Sequence, residues 1–176
     1  MRSDPEIERR FRAWWEEYRG VFYRLSRAYA PKPDDQADLL QDMAVQLWRS
    51  LPGFKEQCKP VTWVYRVCLN TALGWQRGER VRQNLLTPES VSVEGIAGTE
   101  PRPGWTREKE ELLERLYAAI RAQPPEQRTI LLLSLDGLGY REISEITGLS
   151  ENHVGVTLTR ARQRLAAELK EVRDEL

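Results

Sequence analysis

One histidine, His153, stands in the whole 176-residue chain, and there is neither a Gly-rich phosphate loop nor a His/Cys/Asp/Glu cluster at metal-ligand spacing. That leaves little catalytic equipment, so an enzyme is the weakest functional class and neither cofactor nor metal is expected. Cysteine is equally scarce. Cys58 and Cys68 are ten positions apart with no Cys-x-x-Cys, which matches neither a disulfide scaffold nor a zinc module and suits a reduced compartment. No run of about eighteen apolar residues is present to cross a membrane. The N-terminal stretch MRSDPEIERRF has no apolar signal core, so a soluble, cytoplasmic protein without membrane insertion is expected. Charge of one sign is missing as well, since Lys plus Arg and Asp plus Glu are both 27 and the net charge is zero. Any contact with nucleic acid must therefore come from local patches rather than a long-range field. Alternating strand patterns are nearly absent, with only Val91 to Val93 as an exception.

What remains is helical periodicity, and the fold expected is all-α. Glu6 to Ala30 reads as one long helix on Phe11, Trp14, Trp15, Tyr18, Val21, Phe22 and Leu25. After Pro31-Lys32-Pro33, Asp34 or Asp35 is expected to cap a second helix to about Ser50, with Leu39, Leu40, Met43, Leu47 and Trp48 as its buried stripe. Its polar face holds Asp38, Gln41 and Asp42, either a solvated surface or a docking face. A connector from Phe54 to Lys59 leads to Pro60, which suits the first turn of a third helix running to about Gln83. That helix turns basic toward its end, with Arg66, Arg77, Arg80 and Arg82 around Trp75 and Gln76. Arginines that hold phosphates, interleaved with rings that stack on bases, suit single-stranded or melted nucleic acid; a solvated helix end is the plainer alternative.

Residues 84–104 hold three Pro and three Gly without sustained periodicity and read as a flexible linker. Two small helical domains are thus expected, at residues 6–83 and 105–171. The second should contain helices at 105–122 and 126–135, then a corner at Gly148-Leu149-Ser150 between Tyr140–Thr147 and a longer last helix. Val154, Leu158, Ala161 and Leu165 would pack on Ile143, Ile146 and Leu149, leaving Glu151, Asn152, Gly155, Val156 and Thr159 outward. A short helix, a Gly-containing turn and a longer second helix followed by Arg160, Arg162 and Arg164 form the pattern of a DNA-binding helix-turn-helix. An αα-hairpin that binds nothing would share that spacing.

Two separated segments together resemble the extracytoplasmic-function (ECF) sigma factors, the small two-domain branch of the bacterial sigma-70 family. In the first lobe the matching residues are DQADLLQDMAVQLWRSLPGF, residues 35–54, and TWVYRVCLNTAL, residues 62–73. In the second they are QPPEQRTILLL, residues 123–133, and GYREISEITGLSENHVGVTLTRARQRL, residues 139–165. The resemblance implies a transcription initiation factor that binds core RNA polymerase, through the clamp helices and flap of its large subunits, and directs it to promoter DNA. It assigns Asp38, Leu39, Gln41 and Asp42 to polymerase, and Lys55, Gln57, Lys59, Trp63, Arg66, Asn70, Gln76, Arg77 and Arg80 to reading and opening the minus-10 element. Ser150, Glu151, Asn152, His153, Val156, Thr157, Arg160 and Arg162 would face the minus-35 element. An anti-sigma factor or other regulator is an implied partner. The chain departs from the family at Gly155 and Thr157, where two basic groups are common, and at Pro60, where an aromatic is frequent. A helix-turn-helix regulator that works without polymerase, and a sigma-like interaction protein without promoter opening, are the alternatives.

Overall fold

The computed structural model describes residues 5–85 and 106–174. Among these residues there are eight α-helices and one 3₁₀ turn, and no strand. The chain divides into two compact units, residues 1–100 and 101–176. The expected linker at 84–104 falls outside the described residues except for its first two positions, which complete a helix.

In the first unit the expected single helix at 6–30 is two, α1 (Pro5–Glu17) and α2 (Arg19–Tyr29). Tyr18 leaves helical geometry at φ −105 and ψ 15, although its N–H still bonds to Trp14 O at 2.9 Å. The residues that follow, Arg19-Gly20, offer weak resistance to a break, because Gly in a helix costs about 1 kcal/mol relative to Ala. The break lets neighbouring tryptophans serve different partners. Trp14 meets Phe54 edge-on at 4.9 Å, while Trp15 packs on Phe22 at 4.7 Å.

Helix α3 (Pro33–Ser50) is not capped by Asp34 or Asp35; Lys32 is the N-cap residue and Pro33 opens the helix. The two aspartates lie in its first turn, where their charge complements the helix dipole. Leu39, Leu40, Met43 and Leu47 are buried as their spacing requires, and Trp48 is half-buried with its ring edge-on to Phe11. A 3₁₀ turn, Leu51–Gly53, leads to the connector and to α4 (Pro60–Leu85). Val64, Tyr65, Cys68, Leu69 and Ala72 of α4 close the core against Phe22 and Leu25 of α2 and the apolar stripe of α3. A dozen or so buried side chains of this size, each worth about 1.5–3 kcal/mol, hold the three helices together.

The second unit consists of α5 (Arg107–Arg121), α6 (Pro125–Leu135), α7 (Tyr140–Thr147) and α8 (Glu151–Asp174). Thr106 caps α5 by accepting from Lys109 N at 3.4 Å. The centre is α6, whose Ile130, Leu131, Leu132 and Leu133 are all buried because α5, α7 and α8 surround it. Gly148 takes the left-handed conformation, φ 77, that ends α7 and turns the chain. The next helix begins with Ser150 Oγ accepting from His153 N at 3.3 Å, as the sequence suggests. Val154, Leu158 and Ala161 are buried, and Leu165 is half-buried at the end of the stripe.

Candidate functional site

Three surfaces carry the residues singled out from the sequence, two on the first unit and one on the second. On α3 the side chains of Asp38, Gln41 and Asp42 are exposed together. Leu39 is not among them. It is fully buried, because a residue one position after Asp38 is turned about 100° toward the core, so its part in this surface is to anchor the helix. A groove of about 470 Å³ runs between α3 and α4, lined by Asp42, Gln46, Ser50, Val67, Asn70, Thr71, Gly74 and Trp75. It brings Asp42 of the expected polymerase face beside Asn70 of the expected minus-10 face. Gln46 and Thr71 share it without having been anticipated; each lies one turn or less from an anticipated residue, which is the signal that could have found them.

The second surface is the connector at 54–59 with the outer face of α4. Lys55, Gln57 and Lys59 are exposed, and Arg66, Asn70 and Arg77 lie along one exposed stripe of α4. Gln76 is half-buried and off that stripe, and the side chain of Arg80 lies outside the described residues. The connector is held by aromatic packing. Phe54 sits edge-on between Trp14 of α1 and Trp63 of α4, with centroid distances of 4.9 and 5.5 Å. Trp63 is half-buried and acts as a post of the connector: its Nε1–H donates to Ser50 Oγ at 3.2 Å and its ring meets Phe54. Arg10 of α1 adds a second tie, with its guanidinium 6.0 Å over the Phe54 ring and 3.9 Å from Glu56 Oε1. Glu56 has φ 59, a left-handed conformation that costs a non-glycine residue roughly 1–2 kcal/mol. No local motif announces the ties to α1, since Arg10 and Trp14 reach Phe54 and Glu56 across forty or more positions of the chain.

The third surface is the start of α8. Glu151, Asn152, Val156, Thr159 and Arg160 are exposed, and Ser150 is exposed while capping the helix. Thr157 does not share this exposure. It is 6% exposed, faces α6, and its hydroxyl lies 3.5 Å from Glu126 Oε1, because three residues after Val154 and four before Ala161 is a core position. Thr159 takes its place on the outer face, with its hydroxyl donating to Gly155 O at 2.9 Å. His153 is exposed, with Nε2 2.8 Å from Glu126 Oε1, so one ring nitrogen is engaged within the unit. Arg162 donates to Ser134 Oγ at 3.0 Å and thus reaches back to the end of α6. Arg160 remains on the outer face. Among the described residues no three His, Cys, Asp or Glu side chains gather as a metal cage, and no helix is long and apolar enough to cross a membrane. Burial pushes the Cys68 thiol up, so its sulfur is a core atom rather than a nucleophile.

Comparison with known proteins places these surfaces in a family. The Sigma-70 region 2 sequence model matches residues 14–82, which hold the first two surfaces, and the Sigma-70 region 4 model matches residues 113–165, which hold the third. The chain is 26% identical over 176 residues to the RNA polymerase sigma factor YlaC of Bacillus subtilis, covering 99% of this chain and 98% of that one. It is 28% identical over 145 residues to the ECF RNA polymerase sigma-E factor of Haemophilus influenzae, covering 78% and 76%. Its fold is similar to that of CnrH solved in complex with the cytosolic domain of CnrY, with a TM-score of 0.68 at 19% identity over 93% of this chain and 90% of that one. It is likewise similar to RpoE of Bartonella quintana solved with the anti-sigma factor NepR, with a TM-score of 0.67 at 21% identity over 91% and 96%. With regions 2 and 4 both present, in order, and curated relatives along nearly its full length, the chain belongs to the ECF branch of the sigma-70 family.

Proposed function

We propose that the chain is a bacterial transcription initiation factor that binds core RNA polymerase, brings it to particular promoters and takes part in opening them. The observation that carries this reading is that every buried stripe of the two units is used by the core, yet three polar surfaces with distinct chemistries stay exposed. Asp38, Gln41 and Asp42 form an acidic docking face for basic groups on the polymerase. Lys55, Gln57 and Lys59, with Arg66, Asn70 and Arg77 behind them, form the surface that holds the minus-10 strands. Asn152, Val156, Thr159 and Arg160 present the first turns of α8 to the major groove of the minus-35 element. The domains at 6–83 and 105–171, joined through 84–104, accordingly divide the promoter between them. The protein works in the cytoplasm, with its chemistry supplied by the polymerase.

A helix-turn-helix regulator acting alone would use the third surface and leave the other two idle. The relatives solved with CnrY and NepR support a protein inhibitor as the regulatory partner, which would cover the polymerase face. The test is binding of core polymerase by the wild-type chain and by the Asp38→Ala, Asp42→Ala double variant. Both positions are exposed, so helicity should not change, while binding should weaken by at least tenfold. Unchanged binding would return these residues to simple solvation and remove polymerase docking from this face.

A further inference from the structure

Gly155 lies inside α8, where Gly is less favourable than Ala, so some other feature must favour the missing side chain. The structure supplies one. A Cβ added at Gly155 would stand 3.3 Å from Tyr140 Cε2, 3.8 Å from Cδ2 and 3.9 Å from Cζ. The ring of Tyr140, the first residue of α7, therefore lies across α8 at a position in line with Asn152, Val156 and Thr159. It covers the helix without being buried by it, since Tyr140 is 47% exposed, and Val156 beside it is 46% exposed. A large ring left half in water on a polar face has gained little from burial. The charged neighbours are otherwise engaged: Arg141 pairs with Glu145 at 3.4 Å, and Glu142 accepts from Gly139 N at 3.1 Å. Among the described residues no hydrogen-bond partner is recorded for the Tyr140 hydroxyl.

We propose that Tyr140 is a DNA-contacting residue of this protein, its ring seated over Gly155 and its hydroxyl donating to a phosphate oxygen of the promoter beside α8. The proposal rests on the reading that α8 enters the major groove. A phosphate is the partner rather than a base edge because the first helix of a helix-turn-helix crosses the DNA backbone, and Tyr140 opens that helix. Tyrosine hydroxyls are ordinary phosphate donors. Gly155 then has a defined role. It leaves the space in which the ring lies, so a residue on α7 takes over a contact that no side chain at position 155 can make.

The test measures holoenzyme binding to its promoter and to unrelated duplex over a range of salt. Tyr140→Phe keeps the ring and removes only the hydroxyl. It should lower affinity roughly ten- to a hundredfold on all sequences alike, the range expected for one hydrogen bond to a charged acceptor. The salt slope should stay unchanged, because no charge is lost. Gly155→Ala should displace the ring and lower affinity by a similar factor, while the melting temperature of the protein is unchanged or higher. In a Tyr140→Ala background, Gly155→Ala should cost nothing further. Wild-type binding by Tyr140→Phe, or the same loss from Gly155→Ala with and without Tyr140, would make the ring a scaffold part and overturn the proposal. Asn152→Ala and Arg160→Ala serve as references in the same panel. If they weaken binding while Tyr140→Phe does not, only this inference falls; if they too are without effect, α8 is not on DNA and the parent reading falls with it.

Discussion

Arg10→Ala should leave the protein folded and bound to its promoter, yet slow promoter opening by about tenfold. Arg10 makes two weak ties to the connector at 54–59: its guanidinium over the Phe54 ring at 6.0 Å, and its Nη2 3.9 Å from Glu56 Oε1. The arginine side chain is 32% exposed and that of Glu56 77%, so solvent screens both ties. A cation–π contact at such a site is worth about 0.5–1 kcal/mol, and an exposed ion pair about 0–1 kcal/mol. Their sum is on the order of 1.4 kcal/mol, a factor of ten in the population of the ordered connector. That loss is small beside the stability of the whole unit, but it matters locally, because Glu56 holds a left-handed conformation costing roughly 1–2 kcal/mol. Few backbone bonds offset it, among them Phe54 N to Leu51 O at 3.1 Å and Trp63 N to Lys59 O at 3.2 Å. The substitution itself favours α1, since Ala is the better helix former. The assay is permanganate reactivity of promoter thymines with the holoenzyme, set against closed-complex binding and the melting temperature of the free protein. Lys59→Ala is the reference and should reduce opening more than closed binding. Wild-type opening by Arg10→Ala would refute the bracing argument, and a parallel fall in melting temperature would reduce Arg10 to a fold-stabilising residue.

Gln123 is 2% exposed and, among the described residues, neither its amide oxygen nor its nitrogen has a hydrogen-bond partner, a cost of about 1–3 kcal/mol. Gln123→Leu should therefore raise the melting temperature of the second unit by at least 4 °C, on a scale of about 4–8 °C per kcal/mol for a unit of this size, as read by calorimetry. Asn152→Ala should cost roughly 1–3 kcal/mol on the preferred site and little elsewhere, if α8 enters the major groove as proposed, where an amide can pair with adenine. Arg160→Ala should weaken all sequences alike and lower the salt slope by about one unit, both measured on a panel of single-base promoter changes. With iodoacetamide, Cys58 should react in the native protein, whereas Cys68, whose thiol burial pushes up, should react only on unfolding, as mass spectrometry of timed samples would show.

The helices, the Gly148 corner and the Ser150 cap were legible because each depends on residues within a turn or two of one another. The same local logic carried too far at Tyr18, where aromatic spacing continues through a break that only the separate destinations of Trp14 and Trp15 explain. Leu39 lies in the apolar stripe of α3 where its spacing puts it, and the burial of Thr157 follows from its place a turn from both Val154 and Ala161. For Trp63 the period indicates partial burial and for Gly155 the missing side chain indicates a close approach, but neither names the neighbour. Their roles depend on Ser50, Phe54 and Tyr140, which reach them across a turn or from another helix, and composition and period carry no record of such contacts.

The most direct test of the central claim is transcription of genomic DNA by core RNA polymerase with and without the pure chain, followed by sequencing of the transcript ends. New start sites should appear that depend on the chain and share two upstream sequence elements at fixed spacing, one for each unit. Start sites unchanged from core polymerase alone, despite demonstrated binding of the chain to it, would contradict the account and leave the protein a partner of polymerase without promoter selection.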